Sequence, residues 1–147
     1  MSEVGADGRR AGVTGKFGQL GVGDQVSRNT PTPTGAGTWA SLTLGFGPYG
    51  SCAIRRTAGT LWCWGHTEHQ SSAPVAYPGT TYTAVAAGND FACSVRTDGT
   101  LWCWGSNDVG QAGFSLPYGY PIQVGTATAW RSVTAGDRHA CGTRTDG

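Results

Sequence analysis

The chain has 147 residues and a net charge of +1, with Lys and Arg scattered along its length, so it lacks the basic footprint of a nucleic-acid-binding surface. Its 25 Gly and 7 Pro interrupt helices, and no stretch keeps apolar residues at helical spacing, which excludes a helical bundle and favours short strands joined by tight turns. No run approaches the eighteen or so apolar residues of a membrane span, and Met1 to Asp7 lacks the apolar segment of a secretory signal.

In chain order, residues 1–17 resemble the degraded end of a repeat, with Ala6-Asp7-Gly8 as a remnant turn. Gly18-Gln19-Leu20-Gly21 then opens a unit running to Gly65. Within it, Trp39-x-x-Leu42-x-x-Gly45 leads through a turn to Cys52, and Thr60-Leu61-Trp62-Cys63-Trp64-Gly65 forms a second hairpin arm. A second unit, residues 66–105, has a shortened loop after His66. It repeats the pattern as Tyr82-x-x-Val85-x-x-Gly88, Cys93 and Thr100-Leu101-Trp102-Cys103-Trp104-Gly105. A third, residues 106–147, carries Gly110-Gln111-Ala112-Gly113, strands at Ile122 to Val124 and Trp130 to Ala135, and Cys141, and it reaches Asp146-Gly147, a hairpin tip.

The hairpins fix which residues face each other. A tip of Thr97-Asp98-Gly99, with Gly in the left-handed position, sets Arg96 opposite Thr100 and hence Cys93 opposite Cys103. In the preceding unit the tip is one residue longer, Arg56-Thr57-Ala58-Gly59, and Cys52 still faces Cys63. Both pairs meet the requirement of a cross-strand disulfide, with reduced cysteine as a small apolar filler the alternative. A four-cysteine metal site needs C-x2-C spacing that the chain lacks. Cys141 has no partner by this register. Alternation places Cys93, Val95, Leu101 and Cys103 on one side of the sheet and Trp102 and Trp104 on the other. Both faces are apolar, as expected of a sheet packed between two others, so Trp62, Trp64, Trp102, Trp104 and Trp130 are expected to pack between blades.

Other motifs have structural readings. Gly45 to Gly50 satisfies G-x-G-x-x-G but leads into a strand, whereas a dinucleotide-binding turn opens a helix. His66-Thr67-Glu68-His69 matches no metal-site spacing and reads as a surface loop, and Arg55-Arg56 reads as a solvated hairpin tip. No catalytic, cofactor-binding or metal-binding set presents itself, and the expectation is no enzyme and no cofactor.

The order Trp or Tyr, Val, Ala-Gly, Cys, Asp-Gly-Thr-Leu-Trp-Cys-Trp-Gly-Ser-Asn and Gly-Gln-x-Gly resembles the repeats of the regulator of chromosome condensation family, most densely over Ala86 to Gly113. It is most similar to the cysteine-bearing, Trp-rich bacterial versions. The resemblance implies an all-β fold: about three four-stranded antiparallel blades, part of a seven-bladed ring. The remaining blades are expected from a longer reading frame or from self-association. Family members include a nucleotide exchange factor for a small GTPase, a plant photoreceptor and a secreted enzyme inhibitor. The photoreceptor's Gly-Trp-Arg-His-Thr element reads here Gly136-Asp137-Arg138-His139-Ala140, with Asp at the light-absorbing position. The function expected is a noncatalytic module that binds a protein or surface ligand through loops at one propeller face. Exchange-factor-like and secreted inhibitor-like activities are the alternatives. The paired cysteines favour an extracellular or cell-surface setting over the cytoplasm.

Overall fold

The computed structural model describes residues 10–13, 15–35, 37–46, 50–67, 70–77, 80–113 and 121–146. It is built from twelve strands: β1 (Arg10–Val13), β2 (Arg28–Pro33), β3 (Trp39–Phe46), β4 (Gly50–Arg55), β5 (Leu61–Gly65), β6 (Ser71–Ala76), β7 (Tyr82–Ala87), β8 (Phe91–Arg96), β9 (Leu101–Gly105), β10 (Ile122–Gln123), β11 (Trp130–Ala135) and β12 (Ala140–Arg144). They form two four-stranded antiparallel meanders, β3-β4-β5-β6 and β7-β8-β9-β10, flanked by the pairs β1-β2 and β11-β12. Among the described residues, then, two sheets have four strands and the two that flank them have two each. The G-x-G-x-x-G segment lies between two paired strands, β3 and β4, though residues 47–49 fall outside the described set.

The sequence units and the sheets are out of phase. β6 belongs to the unit 66–105 yet completes the sheet of β3 to β5, and β10 belongs to 106–147 yet completes that of β7 to β9. Each unit therefore lends its first strand to the sheet before it, which couples neighbouring units through backbone hydrogen bonds as well as through side chains.

Register follows the hairpin tips. Arg96 N–H donates to the Thr100 carbonyl at 2.9 Å, and Cys93 faces Cys103. Arg55 N–H donates to the Thr60 carbonyl at 2.9 Å, and Cys52 faces Cys63. The extra tip residue of the first hairpin is absorbed in its turn, so the strands keep their alternation. Asp98 fastens the shorter tip: its carboxylate accepts from the Thr100 N–H at 3.0 Å and the Thr100 hydroxyl at 2.6 Å. These bonds hold the Asp98 carboxyl below the usual carboxylate range. The sulfurs of Cys52 and Cys63 lie at disulfide distance, 2.16 Å, and those of Cys93 and Cys103 at 2.08 Å. Cys141 is exposed and unbridged.

The core lies between sheets. Cys52, Ile54, Leu61, Cys63 and Tyr77 of the first meander and its exit pack against Tyr82, Ala87, Ala92 and Trp104 of the second. The far face of the second, with Phe91, Cys93, Val95, Leu101 and Cys103, packs against Val133, Trp130, Ala135 and Ala140 of β11-β12. The near face of the first meander buries Trp39, Ala53 and Trp64. Close approach also constrains backbone: Gly105 has φ +96°, and a Cβ there would stand 2.3 Å from the Asp90 carbonyl oxygen. Gly110 has φ +82° but open space around it.

Two outcomes are expected. Peptide mapping without reductant should recover Cys52 joined to Cys63 and Cys93 joined to Cys103. Replacing Cys93 and Cys103 together by Ala should lower unfolding free energy by about 2–3 kcal/mol in urea titration, because each bridge closes a short loop. Gly105→Ala should be clearly more destabilising than Gly110→Ala, since the first adds a backbone clash to the conformational strain of about 1 kcal/mol that both share.

Candidate functional site

The tryptophans expected between blades occupy two environments. Trp104 is fully buried, its ring 5.1 Å from that of Tyr77 in the preceding meander. Trp64 is buried 5.7 Å from Trp39 and donates its indole N–H to the Gln19 carbonyl at 3.0 Å. Trp62 and Trp102 are half-buried nearer the hairpin tips, where Thr60 and Thr100 hydroxyls accept their indole N–H groups at 2.9 and 2.8 Å. Trp130 is half-buried against the far face of the second meander. His66 is exposed and edge-on to Phe17 at 6.2 Å, while Glu68 and His69 lie outside the described residues. The His139 ring lies over Gly136, as the Phe91 ring lies over Gly88. Among the described residues no three His, Cys, Asp or Glu side chains gather as metal ligands, and no helix is long and apolar enough to cross a membrane.

Arg55 is not the solvated tip that its sequence context suggests. It pairs across strands with Trp39, and its guanidinium carbon lies 4.9 Å from the Trp39 ring and 4.5 Å from that of Trp62. Arg96 pairs with Tyr82 and stacks 3.6 Å from Trp102, and Arg144 pairs with Trp130 at 5.8 Å. The same arginine-over-aromatic pair thus recurs in three successive sheets at the hairpin-tip end. The sequence did contain this pattern, in the Trp or Tyr that opens β3, β7 and β11 and the Arg that closes β4, β8 and β12, but only the register of each strand pair shows that they touch.

The opposite end carries the loops. Two turns there share one construction. In the first, Gly18 and Gly21 N–H groups donate to the Gly15 and Gly18 carbonyls, and the Gln19 side-chain carbonyl accepts the Phe17 N–H at 2.9 Å. In the second, Gly110 and Gly113 N–H groups donate to the Asn107 and Gly110 carbonyls, and Gln111 accepts the Val109 N–H at 3.0 Å. The Gly-Gln-x-Gly motif is therefore a turn whose glutamine locks the residue two places before it. That residue is apolar and exposed in both copies, Phe17 at 40% and Val109 at 59%. Beside Val109 lies a polar crevice of about 110 Å³ lined by Asn89, Asp90, Ser106, Asp108, Gln111 and Arg138. In the sequence the Gly-Gln-x-Gly elements only punctuate the repeats; the fold shows that they hold an apolar side chain outward.

A larger cavity of about 390 Å³ opens between the second meander and β11-β12, walled by Leu101, Cys103, Ala112, Val124, Trp130 and Val133 on the apolar side and bordered by Ala140, Cys141 and Gly142 of β12.

Burial separates the two kinds of tryptophan energetically. Trp104→Ala should cost about 3–5 kcal/mol of unfolding free energy, as for a fully buried large side chain, and Trp102→Ala about half that, measured by chemical denaturation.

Comparison with known proteins matches the Regulator of chromosome condensation (RCC1) repeat over residues 82–111 and again over residues 98–142. No curated protein sequence matches the chain. Among solved structures the fold is similar to human WBSCR16, with a TM-score of 0.73 at 17% identity, covering 94% of this chain and 40% of that one. It is similar to yeast RCC1 (Prp20), solved bound to Kap60, with a TM-score of 0.75 at 19% identity over 94% of this chain and 38% of that one. A second Saccharomyces cerevisiae Prp20p structure, described with its binding to Gsp1p and histones, gives 0.73 at 17% identity over 95% and 40%. The chain spans at most 40% of the length of these structures. The segment from residue 82 to residue 142 thus matches the regulator of chromosome condensation repeat, on an all-β chain with the fold of part of a β-propeller.

Proposed function

We propose that the chain is a noncatalytic protein-interaction module that docks its partner on the loop end. One observation carries this reading: two glutamine-locked turns hold Phe17 and Val109 outward, the second beside a crevice carrying Asp90, Asp108 and Arg138. An exposed apolar side chain on a rigid turn, rimmed by charges of both signs, is the composition of a protein-binding surface, where a pre-ordered anchor limits the entropy lost on docking. Loops on a rigid scaffold are also where propellers can change partner without changing fold. Yeast Prp20, similar in fold, was solved with Kap60 bound, which supports protein binding by propellers of this type.

The partner is a protein or surface ligand met outside the reducing cytoplasm. Two cysteine pairs at disulfide distance support an extracellular or cell-surface setting. We read residues 18–65, 66–105 and 106–147 as successive repeats of this module.

The test compares proteins retained from an extracellular fraction by the immobilised chain and by the Phe17→Asp/Val109→Asp double variant. Both sites are exposed, so the melting temperature should stay within a few degrees. At least a tenfold loss of specific proteins with the variant supports loop-end docking, and identical retained sets would refute it.

A further inference from the structure

Arg55 and Arg96 are held in place without being neutralised. Each is half-buried with its guanidinium carbon over two rings: 4.9 Å from Trp39 and 4.5 Å from Trp62 for Arg55, 5.8 Å from Tyr82 and 3.6 Å from Trp102 for Arg96. Gly37 closes on Arg55 as well, since a Cβ there would stand 2.2 Å from Nη1. Yet among the described residues no carboxylate pairs with either arginine, and the buried Nε of each makes no hydrogen bond. By contrast, Arg28 reaches Asp24 at 2.7 Å and Arg138 reaches Asp137 at 3.9 Å. Stacking occupies the faces of a guanidinium and leaves its edge, a fixed fork of N–H donors, to be satisfied. A donor left without an acceptor at a half-buried site costs free energy, so an acceptor supplied from outside the chain is favoured there.

The two arginines belong to one row of hairpin tips. The Gly59 carbonyl in the first tip accepts the Tyr82 N–H at 2.7 Å, and Tyr82 is the residue that faces Arg96. Among the described residues, the tip end of the two four-stranded sheets carries Arg55, Arg56 and Arg96 against Asp98, whose Oδ1 already accepts from the Thr100 N–H and hydroxyl. The loop end of the same sheets carries Asp90 and Asp108. The net charge of +1 therefore conceals opposite signs at the two ends.

We propose that the hairpin-tip end is a second docking surface, which takes an acidic polypeptide segment whose carboxylates accept from the Arg55 and Arg96 guanidiniums. A carboxylate matches the planar fork with two parallel bonds, and a guanidinium already fixed on its rings loses little freedom in making them. The half-buried Trp62 and Trp102 give the carbon stems of the segment an apolar bed beside the charges. Arg55, Arg56 and Arg96 are too few for the many phosphate contacts on which nucleic-acid affinity rests, which favours a short acidic segment over a nucleic acid. This surface lies at the other end of the sheets from Val109 and does not depend on docking there.

The test titrates the intact chain into fluorescein-labelled decaglutamate, with decaglutamine and decathymidylate as comparisons, and follows anisotropy at about 50 mM salt so that screening does not hide the interaction. Decaglutamate should bind at least tenfold more tightly than either. Arg55→Met/Arg96→Met keeps an unbranched side chain over each ring, so the melting temperature should stay within a few degrees while affinity for decaglutamate falls at least tenfold. Phe17→Ser/Val109→Ser should leave that affinity unchanged, which separates this surface from the loop end. If the methionine variant does not fold, Arg55→Lys/Arg96→Lys, which keeps the charge and loses the fork, decides in its place with an expected loss of at least threefold. Undiminished affinity in the folded variant, or binding of decaglutamine or decathymidylate as tight as that of decaglutamate, would overturn the proposal.

Discussion

Everything in this molecule depends on sheets that are apolar on both faces. A strand pair such as β8-β9 sends Cys93, Val95, Leu101 and Cys103 one way and Trp104 the other, and neither set can remain in water without losing the main stabilising term. The sheet can satisfy both faces only if another sheet lies on each side. That requirement, more than any local preference, turns the repeat into a row of stacked blades.

The cross-strand cysteines serve this arrangement from within a single sheet. They sit at the centre of the face that the next blade's tryptophan covers: Trp104 lies in the same cluster as Cys52 and Cys63. A bridge there ties the second and third strands together and leaves a small, polarizable surface for the indole to rest on. The arginine-over-aromatic pairs complete the opposite face, that of the tryptophans, near the hairpin tips. They cover the half-buried rings of Trp62 and Trp102 with the guanidinium groups of Arg55 and Arg96, whose Nε atoms are buried. Core, edge and rim thus repeat with the blade, and what differs from one repeat to the next is gathered in the loops.

That division of labour separates the parts of the chain open to functional change from those that are not. Gly105 is held against Asp90, and Trp104 has no exposed surface, so neither can vary without disturbing the stack. Val109 stands in water on a turn secured by Gln111, so its side chain can change while the turn stays put. The docking we propose falls on these outward residues, which the stack leaves free to change.

The amino-acid sequence by itself determined the hairpin strands around each cysteine pair, their register and the facing of Cys52 with Cys63 and Cys93 with Cys103, but not β1, β2 or β6. These depend on tip length and the two-residue alternation of a strand, both written locally in residues such as Asp98 and Gly99. It also determined that both sheet faces are apolar, and hence that blades stack. Only the tertiary structure decided which tryptophans are sealed and which lie under arginine, because Trp102 and Trp104 share a face and differ only in distance from the rim. The pairing of Arg55 with Trp39, and the outward locking of Val109 by Gln111, were equally beyond local reading. Each depends on how one strand or turn is laid against another, and that is set when whole sheets close on one another.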